Sequence, residues 1–508
     1  MTPDAFDVRS LWRLTLWFTV ILAVTLLTHA GDHSPYTYGW AALGRNAHGT
    51  LDGYAFNPDN YTIIPLTNFF YQPSPPDFSQ VPNVLLPAHS FFISVLLGLT
   101  RSYMFSAYLV NLLFGAFVFY AYSAVALRHG IPARVIGFAG TLILSLPYFA
   151  HYMGQPMHYI VGPAITFLIV MAMMLIDREE ATSTHRHPSW YTGFLAGFLL
   201  INYDWYVALP AVLAYVCWFR RPKSLPIFFG TVLFMRVLWG LVLSLGDAEL
   251  SATAANQFFT PIRDGWLLFL TSPVDHWIRP WLFSMVGWNV AVAQISSYFY
   301  WFMLIALVIL TALLRPDFRQ ARSSRLPLLL LAFFVAAQLA IAALDWETNP
   351  RRALPLLVPY AYWLTWAVWA TWQSRRFRLM FIALGILSYM FTFSDTLFHN
   401  PGIALSQIGQ AIHGGPKYIL QFETVRLDSQ LPHFIVDTPL QLFGYPHAAF
   451  DSDFQGIFLA TQAFMFLSVG LLLFIFGRIR LLPYRTAEVW GAVFAISIVG
   501  RFILLGTS

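Results

Sequence analysis

The sequence predicts an all-α polytopic membrane protein that forms one integral membrane domain over residues 1–508. Composition is the first observation: 58% of the residues are hydrophobic and 10% are charged, whereas a soluble domain carries about 25% charged residues. Apolar runs of roughly 20 residues, long enough to cross a bilayer, recur along the whole chain. The basic residues gather in alternate short loops, which indicates a defined membrane orientation.

The net charge and the cysteine content exclude other classes of protein. The net charge is +5, but the basic excess lies in short loops between apolar runs, so it indicates orientation rather than a nucleic-acid interface. The lone Cys217 excludes an internal disulfide and a cysteine-based metal site.

The first predicted span covers residues 11–30 and follows Arg9 and Arg13, which assigns the N-terminus to the cytoplasm. Acidic residues precede this run and no small-residue cleavage site ends it, so we expect an uncleaved span. Residues 31–106 form the first external segment. Within it, residues 85–99 are apolar but too short to span, and an interfacial helix is expected.

About thirteen spans are predicted in total, with juxtamembrane helices in long external loops. The second and third spans, 107–127 and 134–149, are joined by a cytoplasmic turn between Arg128 and Arg134. Arg236 lies within the span at 225–245 and is either a functional residue or a side chain that snorkels to an interface. The spans that follow are separated by two further external segments, 246–297 and 399–455.

Asp32 is the first candidate for chemistry, because it follows the first span and should lie at the membrane face. A partly desolvated carboxylate there has the position and basicity to deprotonate an acceptor hydroxyl. The alternative is a helix cap, since Asp before Ser34 and Pro35 is a good helix start. On position alone, the cap is the simpler interpretation.

Several landmarks, in this order, resemble the GT-C class of membrane glycosyltransferases, the superfamily of protein O-mannosyltransferases and aminoarabinose transferases. They span residues 11–372. The stretch at 31–36 resembles the Asp-Glu loop motif of that class, and the segment at 86–92 resembles the Pro-led helix that follows it. The short helical pair is matched at 193–198 and 208–210, and the outer basic motif at 349–355.

The resemblance implies specific roles. The donor is a sugar on a polyprenyl phosphate or diphosphate, and the residue that matches Asp32 is the expected catalytic base. Arg351 and Arg352 match the outer basic motif, and their planar guanidinium groups suit the phosphate oxygens of the donor. The alternatives for this pair are interfacial anchoring or ion pairing with Asp345 and Glu347.

The chain also departs from the family pattern. His33 stands where many members have Glu, and we include it with Asp32 among the catalytic candidates. The second external loop, 151–158, has no acidic residue, whereas many members have one there. The expected pocket residues are His151, Tyr152, Gln155, His158 and Asp204. Histidine and carboxylate ligands suit a divalent metal, but these lie on separate loops, so no cofactor is required and a divalent metal is the less favoured alternative.

The sequence therefore predicts a glycosyltransferase of the bacterial inner membrane with its active face in the periplasm. Its partners are a polyprenyl-linked sugar donor, a glycan, lipid or protein acceptor, and membrane lipids, but no nucleic acid. Three rivals stay open: a noncatalytic relative that binds polyprenyl lipid, a flippase for lipids or glycans, and an O-antigen-type polymerase. Polar residues at the outer rim rather than through the spans disfavour the transporter.

Overall fold

The structure is a computed structural model and describes residues 8–29, 103–145, 225–244 and 357–392. It also describes single positions at 89, 92, 96, 271, 464, 465, 467, 468, 470 and 471. Within these residues all regular structure is helical, which confirms the predicted all-α class for this part of the chain. The number of about thirteen spans stays a prediction. The helices are α1 (Val8–His29), α2 (Tyr103–Arg128), α3 (Ala133–Leu144), α4 (Leu225–Ser244), α5 (Leu357–Thr371) and α6 (Arg375–Thr392).

Two stretches are long and apolar enough to cross a membrane, Val8–Leu26 in α1 and Tyr108–Arg128 in α2. Both coincide with predicted spans. α2 has 26 residues and begins four residues before the predicted span, so that it is about 39 Å long against the roughly 30 Å of a hydrocarbon core. α3 has 12 residues and ends at Leu144; the remainder of the predicted third span, 146–149, lies outside the described residues.

A four-residue turn joins α2 to α3 and has a clear sequence cause. Gly130 adopts φ 74°, the left-handed conformation that favours glycine at a helix end. The Gly130 amide donates to the Leu127 carbonyl at 2.9 Å, and the Ile131 amide donates to the Ala126 carbonyl at 3.2 Å. This pair of bonds is the Schellman motif, and Pro132 then begins the next helix.

Side-chain contacts give the directions of the helices. Leu14 and Trp17 of α1 lie against Gly137 and Thr141 of α3 respectively, so these two helices run in the same direction. Because the tight turn reverses the chain, α2 runs the opposite way. On the other side of α3, Trp372 contacts Phe138 and Gly385 contacts Leu142, so α6 is parallel to α3 and α5 is antiparallel to it.

This arrangement brings basic residues together. The start of α1, the end of α2 and the starts of α3 and α6 all lie at one end of the five helices. We call it the arginine end, and it carries Arg9, Arg13, Arg128, Arg134, Arg375, Arg376 and Arg378. The four described ranges contain no Asp or Glu.

The ring of Phe18 is at the centre of the contact between α1, α2 and α3. Its side chain is fully buried, and its ring centroid lies 4.8 Å from that of Phe119 and 6.3 Å from that of Tyr122. On the α3 side, the ring lies directly over Gly140, where any side chain would overlap it. Helices that approach closely at a glycine are common where apolar helices associate.

Several hydroxyl side chains in these helices are hydrogen-bonded within the bundle. The Tyr122 hydroxyl lies 2.7 Å from Thr365 Oγ1, and Thr365 Oγ1 in turn donates to the Ala361 carbonyl at 2.6 Å. Thr365 therefore accepts its bond from Tyr122, which links α2 to α5. Thr15, Thr141 and Thr371 each donate to a carbonyl one turn earlier in their own helix, which spares a hydroxyl in apolar surroundings the cost of having no partner.

Large apolar side chains also cover outward faces. Leu16 of α1 is 67% exposed, and Leu233 and Phe234 of α4 are 62% and 61% exposed. Large exposed apolar side chains of this kind are typical of surfaces that meet lipid or another protein.

The space around each glycine predicts the effect of adding a methyl group there. We expect Gly140→Ala to destabilise the fold by about 1–3 kcal/mol, because the new Cβ overlaps the Phe18 ring. The matched control is Gly230→Ala in α4, where a Cβ meets nothing within 4 Å and a gain of about 0.5–1 kcal/mol is expected. Thermal unfolding of detergent-purified protein measures both. Equal midpoints for the two variants would contradict the proposed packing.

Candidate functional site

The residues predicted to carry chemistry lie outside the described residues. These are Asp32, His33, His151, Tyr152, Gln155, His158, Asp204, Arg351 and Arg352. The external segment 399–455 is likewise outside, as is 246–297 except for Thr271. The site predicted from the sequence therefore stays a prediction.

The end opposite the arginine end is where α1 finishes, at His29, and where α2 begins, at Tyr103. A buried polar pair joins His89 to Asn111, which lies in the N-terminal part of α2. His89 Nε2 and Asn111 Oδ1 are 3.0 Å apart, and the two residues are 1% and 0% exposed. The neighbouring Phe92 packs edge-on against Phe114 of α2, with 5.4 Å between ring centroids. His89 and Phe92, which belong to the interfacial helix predicted at 85–99, thus pack directly on α2.

The hydrogen bond between His89 and Asn111 defines which imidazole nitrogen carries the proton. An amide oxygen only accepts, so His89 Nε2 carries the proton and donates to Asn111 Oδ1. His89 Nδ1 is then an acceptor. It is buried and has no hydrogen-bond partner among the described residues, which makes it an atom that can accept a bond from a donor brought into this region.

Burial keeps the imidazole of His89 neutral. His89 lies outside the two candidate spanning helices, and desolvation lowers its pKa from the ordinary value of 6.5 to about 4, while the Asn111 hydrogen bond partly offsets the shift. At neutral pH the side chain is therefore an uncharged donor at Nε2 and an uncharged acceptor at Nδ1. It is a weak base, so its chemistry at this position is to hold and orient rather than to remove a proton.

Sequence reasoning placed His89 in the Pro-led helix but missed its polar contact. A signal was present: Asn111 is a polar residue within an apolar span, and such residues face a partner or a cavity. Arg236, singled out from the sequence, lies within α4 and is partly buried. Its functional role and its snorkelling both stay predictions. Among the described residues, no group of His, Cys, Asp or Glu side chains is arranged to hold a metal.

No family model, curated protein or solved structure matches this chain.

The lowered pKa of His89 predicts an acid-sensitive fold. The unfolded chain takes up a proton at this residue below pH 6.5, whereas the folded chain resists it until about pH 4. The contribution of neutral His89 to stability is therefore complete above pH 6.5 and is lost as the pH falls towards 4. We expect His89→Gln, which keeps a donor for Asn111 but does not titrate, to flatten the fall of the unfolding midpoint over this pH range.

The comparison is direct, because every other titratable group is the same in both proteins. Parallel pH profiles for wild type and His89→Gln would show that His89 is not buried in a neutral form.

Proposed function

We propose that the chain is an integral membrane glycosyltransferase of the GT-C class, with about thirteen spans and its N-terminus in the cytoplasm. It transfers a sugar from a polyprenyl phosphate or diphosphate to a glycan, lipid or protein acceptor on the periplasmic side of the bacterial inner membrane. The motif order in the sequence is the basis of this proposal. Three features of the described helices support it.

The first supporting feature is the outward-facing apolar surface on α1 and α4, described above for Leu16, Leu233 and Phe234. Lipid is the solvent in which such a surface is stable. The hydroxyls of Thr15 and Thr141, each bonded within its own helix, suit the same surroundings, because a bilayer core offers them no water.

The second supporting feature is the separation of charge. Seven arginines lie at one end of five helices, and cytoplasmic loops of membrane proteins carry the excess of Lys and Arg. Assigning the arginine end to the cytoplasm makes the opposite end periplasmic. The first external segment, which carries the catalytic candidates, then begins on the side where a GT-C enzyme acts.

The third supporting feature is the position of the end of α1, which precedes the proposed base Asp32. His29 is the last residue of this helix, at the end opposite the arginines, and Asp32 follows three residues later. Chain connectivity keeps the two Cα atoms within about 11 Å. Asp32 is therefore tethered to the end of the bundle where α1 finishes and α2 begins.

The proposed reaction is a displacement at the anomeric carbon of the donor sugar. The acceptor hydroxyl attacks this carbon as Asp32 removes its proton, and the bond between the carbon and the phosphate oxygen breaks. Polyprenyl phosphate, or diphosphate, leaves with the electron pair. Arg351 and Arg352 compensate the developing negative charge on the leaving group. His33 and the pocket residues of the second external loop complete the site.

Replacing the proposed base should abolish transfer. We expect Asp32→Asn to lower the rate by about 10²–10⁴-fold, because the amide cannot take up the acceptor proton. The assay is transfer of radiolabelled sugars from a panel of polyprenyl phosphate and diphosphate donors by purified protein. Asp59→Asn, in the same external segment, is the matched control and should keep wild-type activity.

Two other outcomes have definite meanings. Full activity in Asp32→Asn would move the base to another residue. Absence of transfer from every donor by a folded wild-type protein that still binds polyprenyl lipid would replace the enzyme with the noncatalytic lipid-binding relative.

The phosphate-binding role predicts a different kinetic signature. We expect Arg351→Gln and Arg352→Gln each to raise the KM for the donor by roughly tenfold or more, because a charge-assisted contact to phosphate is lost. The KM for the acceptor should not change. Arg376→Gln at the arginine end removes the same charge on the opposite side and is the control. Equal effects of all three substitutions would refute a local role of this pair.

A further inference from the structure

A groove of about 720 Å³ opens on the side of the bundle between α1, α3 and α6. Its walls are formed mainly by apolar side chains and by small residues that bring the helices close together. The lining residues are Leu14, Trp17, Ala133, Arg134, Gly137, Phe138, Thr141, Leu142, Ser145, Ile382, Gly385 and Ile386. All of them belong to the described part of the chain.

The length of the groove corresponds to one leaflet of a bilayer. It follows α3 from Arg134 to Ser145, a distance of about 16 Å along the helix axis. The hydrocarbon core is about 30 Å thick, so the groove extends from the arginine end to near the middle of the membrane. The polar atoms within it are already engaged, since Trp17 Nε1 donates to Thr141 Oγ1 at 3.3 Å and Ser145 Oγ donates to the Leu142 carbonyl at 2.6 Å.

The mouth of the groove at the arginine end is cationic. Arg134 lines it and lies with its guanidinium carbon 6.0 Å from the centroid of the Trp372 ring. Arg378 approaches the same ring at 5.4 Å. Two guanidinium groups therefore lie near this indole, and the described ranges contain no carboxylate.

An apolar groove one leaflet long with the Arg134 guanidinium at its mouth has the shape and charge of a phospholipid site. We propose that it binds one anionic phospholipid of the leaflet at the arginine end, with an acyl chain along α3 and the phosphate diester against Arg134. Guanidinium groups match phosphate oxygens in both charge and geometry. The site is on the opposite side from the proposed catalytic end and does not depend on the proposed glycosyltransferase activity.

Native mass spectrometry of the full-length protein in detergent tests the proposal, with phosphatidylglycerol as probe and phosphatidylcholine as the neutral comparison. We expect one tightly bound phosphatidylglycerol and weaker phosphatidylcholine binding. Arg134→Gln should weaken phosphatidylglycerol by roughly fivefold, the effect of one cation near an anionic headgroup, and leave phosphatidylcholine unchanged. Ile386→Trp, which fills the groove, should weaken both lipids.

Matched controls separate a site from general charge or general disruption. Arg376→Gln removes the same charge from a different face of α6, and Met380→Trp adds the same bulk outside the groove. Both should bind lipid as the wild type does. Equal binding of the two lipids, an Arg376→Gln loss as large as that of Arg134→Gln, or a dimer that Ile386→Trp dissociates would each overturn the proposal. The last result would assign the groove to a second copy of the chain.

Discussion

The contact between the ring of Phe18 and Gly140 is the constraint on which the described helices depend. Only glycine leaves room for the ring, so α1 and α3 approach closely at this point. The other side of the same ring packs on Phe119 and Tyr122 of α2. Tyr122 then reaches α5 through its hydrogen bond to Thr365. One aromatic ring and one hydroxyl pair therefore determine the relative positions of four helices, and the groove beside α3 exists because this packing brings α1 close without covering α3 completely.

Apolar runs were sufficient to predict α1, α2, α3 and α4, because a long apolar run has few alternatives to a helix. They were not sufficient to predict packing. Trp17 and Phe18 are adjacent aromatic residues, yet Trp17 is 54% exposed and Phe18 is fully buried. In a helix that is apolar all round, the faces cannot be distinguished by their polarity. The fit of Phe18 over Gly140 depends on shape, and shape complementarity between residues so far apart leaves no periodic pattern in a sequence.

The charged and polar residues likewise divide into those whose placement the sequence predicted and those whose placement it did not. Alternating basic loops predicted that Arg9, Arg128 and Arg134 share one side, and the helix directions bring them to one end. The buried pair of His89 and Asn111 was not predicted, because the partners are 22 residues apart and neither residue alone identifies the other. The residues proposed for catalysis are predicted to lie in connecting segments, where motif order and sidedness are the available guides, whereas the groove between α1, α3 and α6 has no sequence motif.

The hydrogen bond between Tyr122 and Thr365 also has a consequence for biogenesis. The two residues are 243 positions apart, so at typical elongation rates Thr365 is synthesised roughly 10–50 seconds after Tyr122. During that interval α1, α2 and α3 are complete while the face that α5 will cover is open, with the Tyr122 hydroxyl still without its final acceptor. Closure of the bundle is therefore a late event in the synthesis of the chain. The early three-helix unit has to be stabilised by its own contacts, or shielded by the insertion machinery, until the downstream helices arrive.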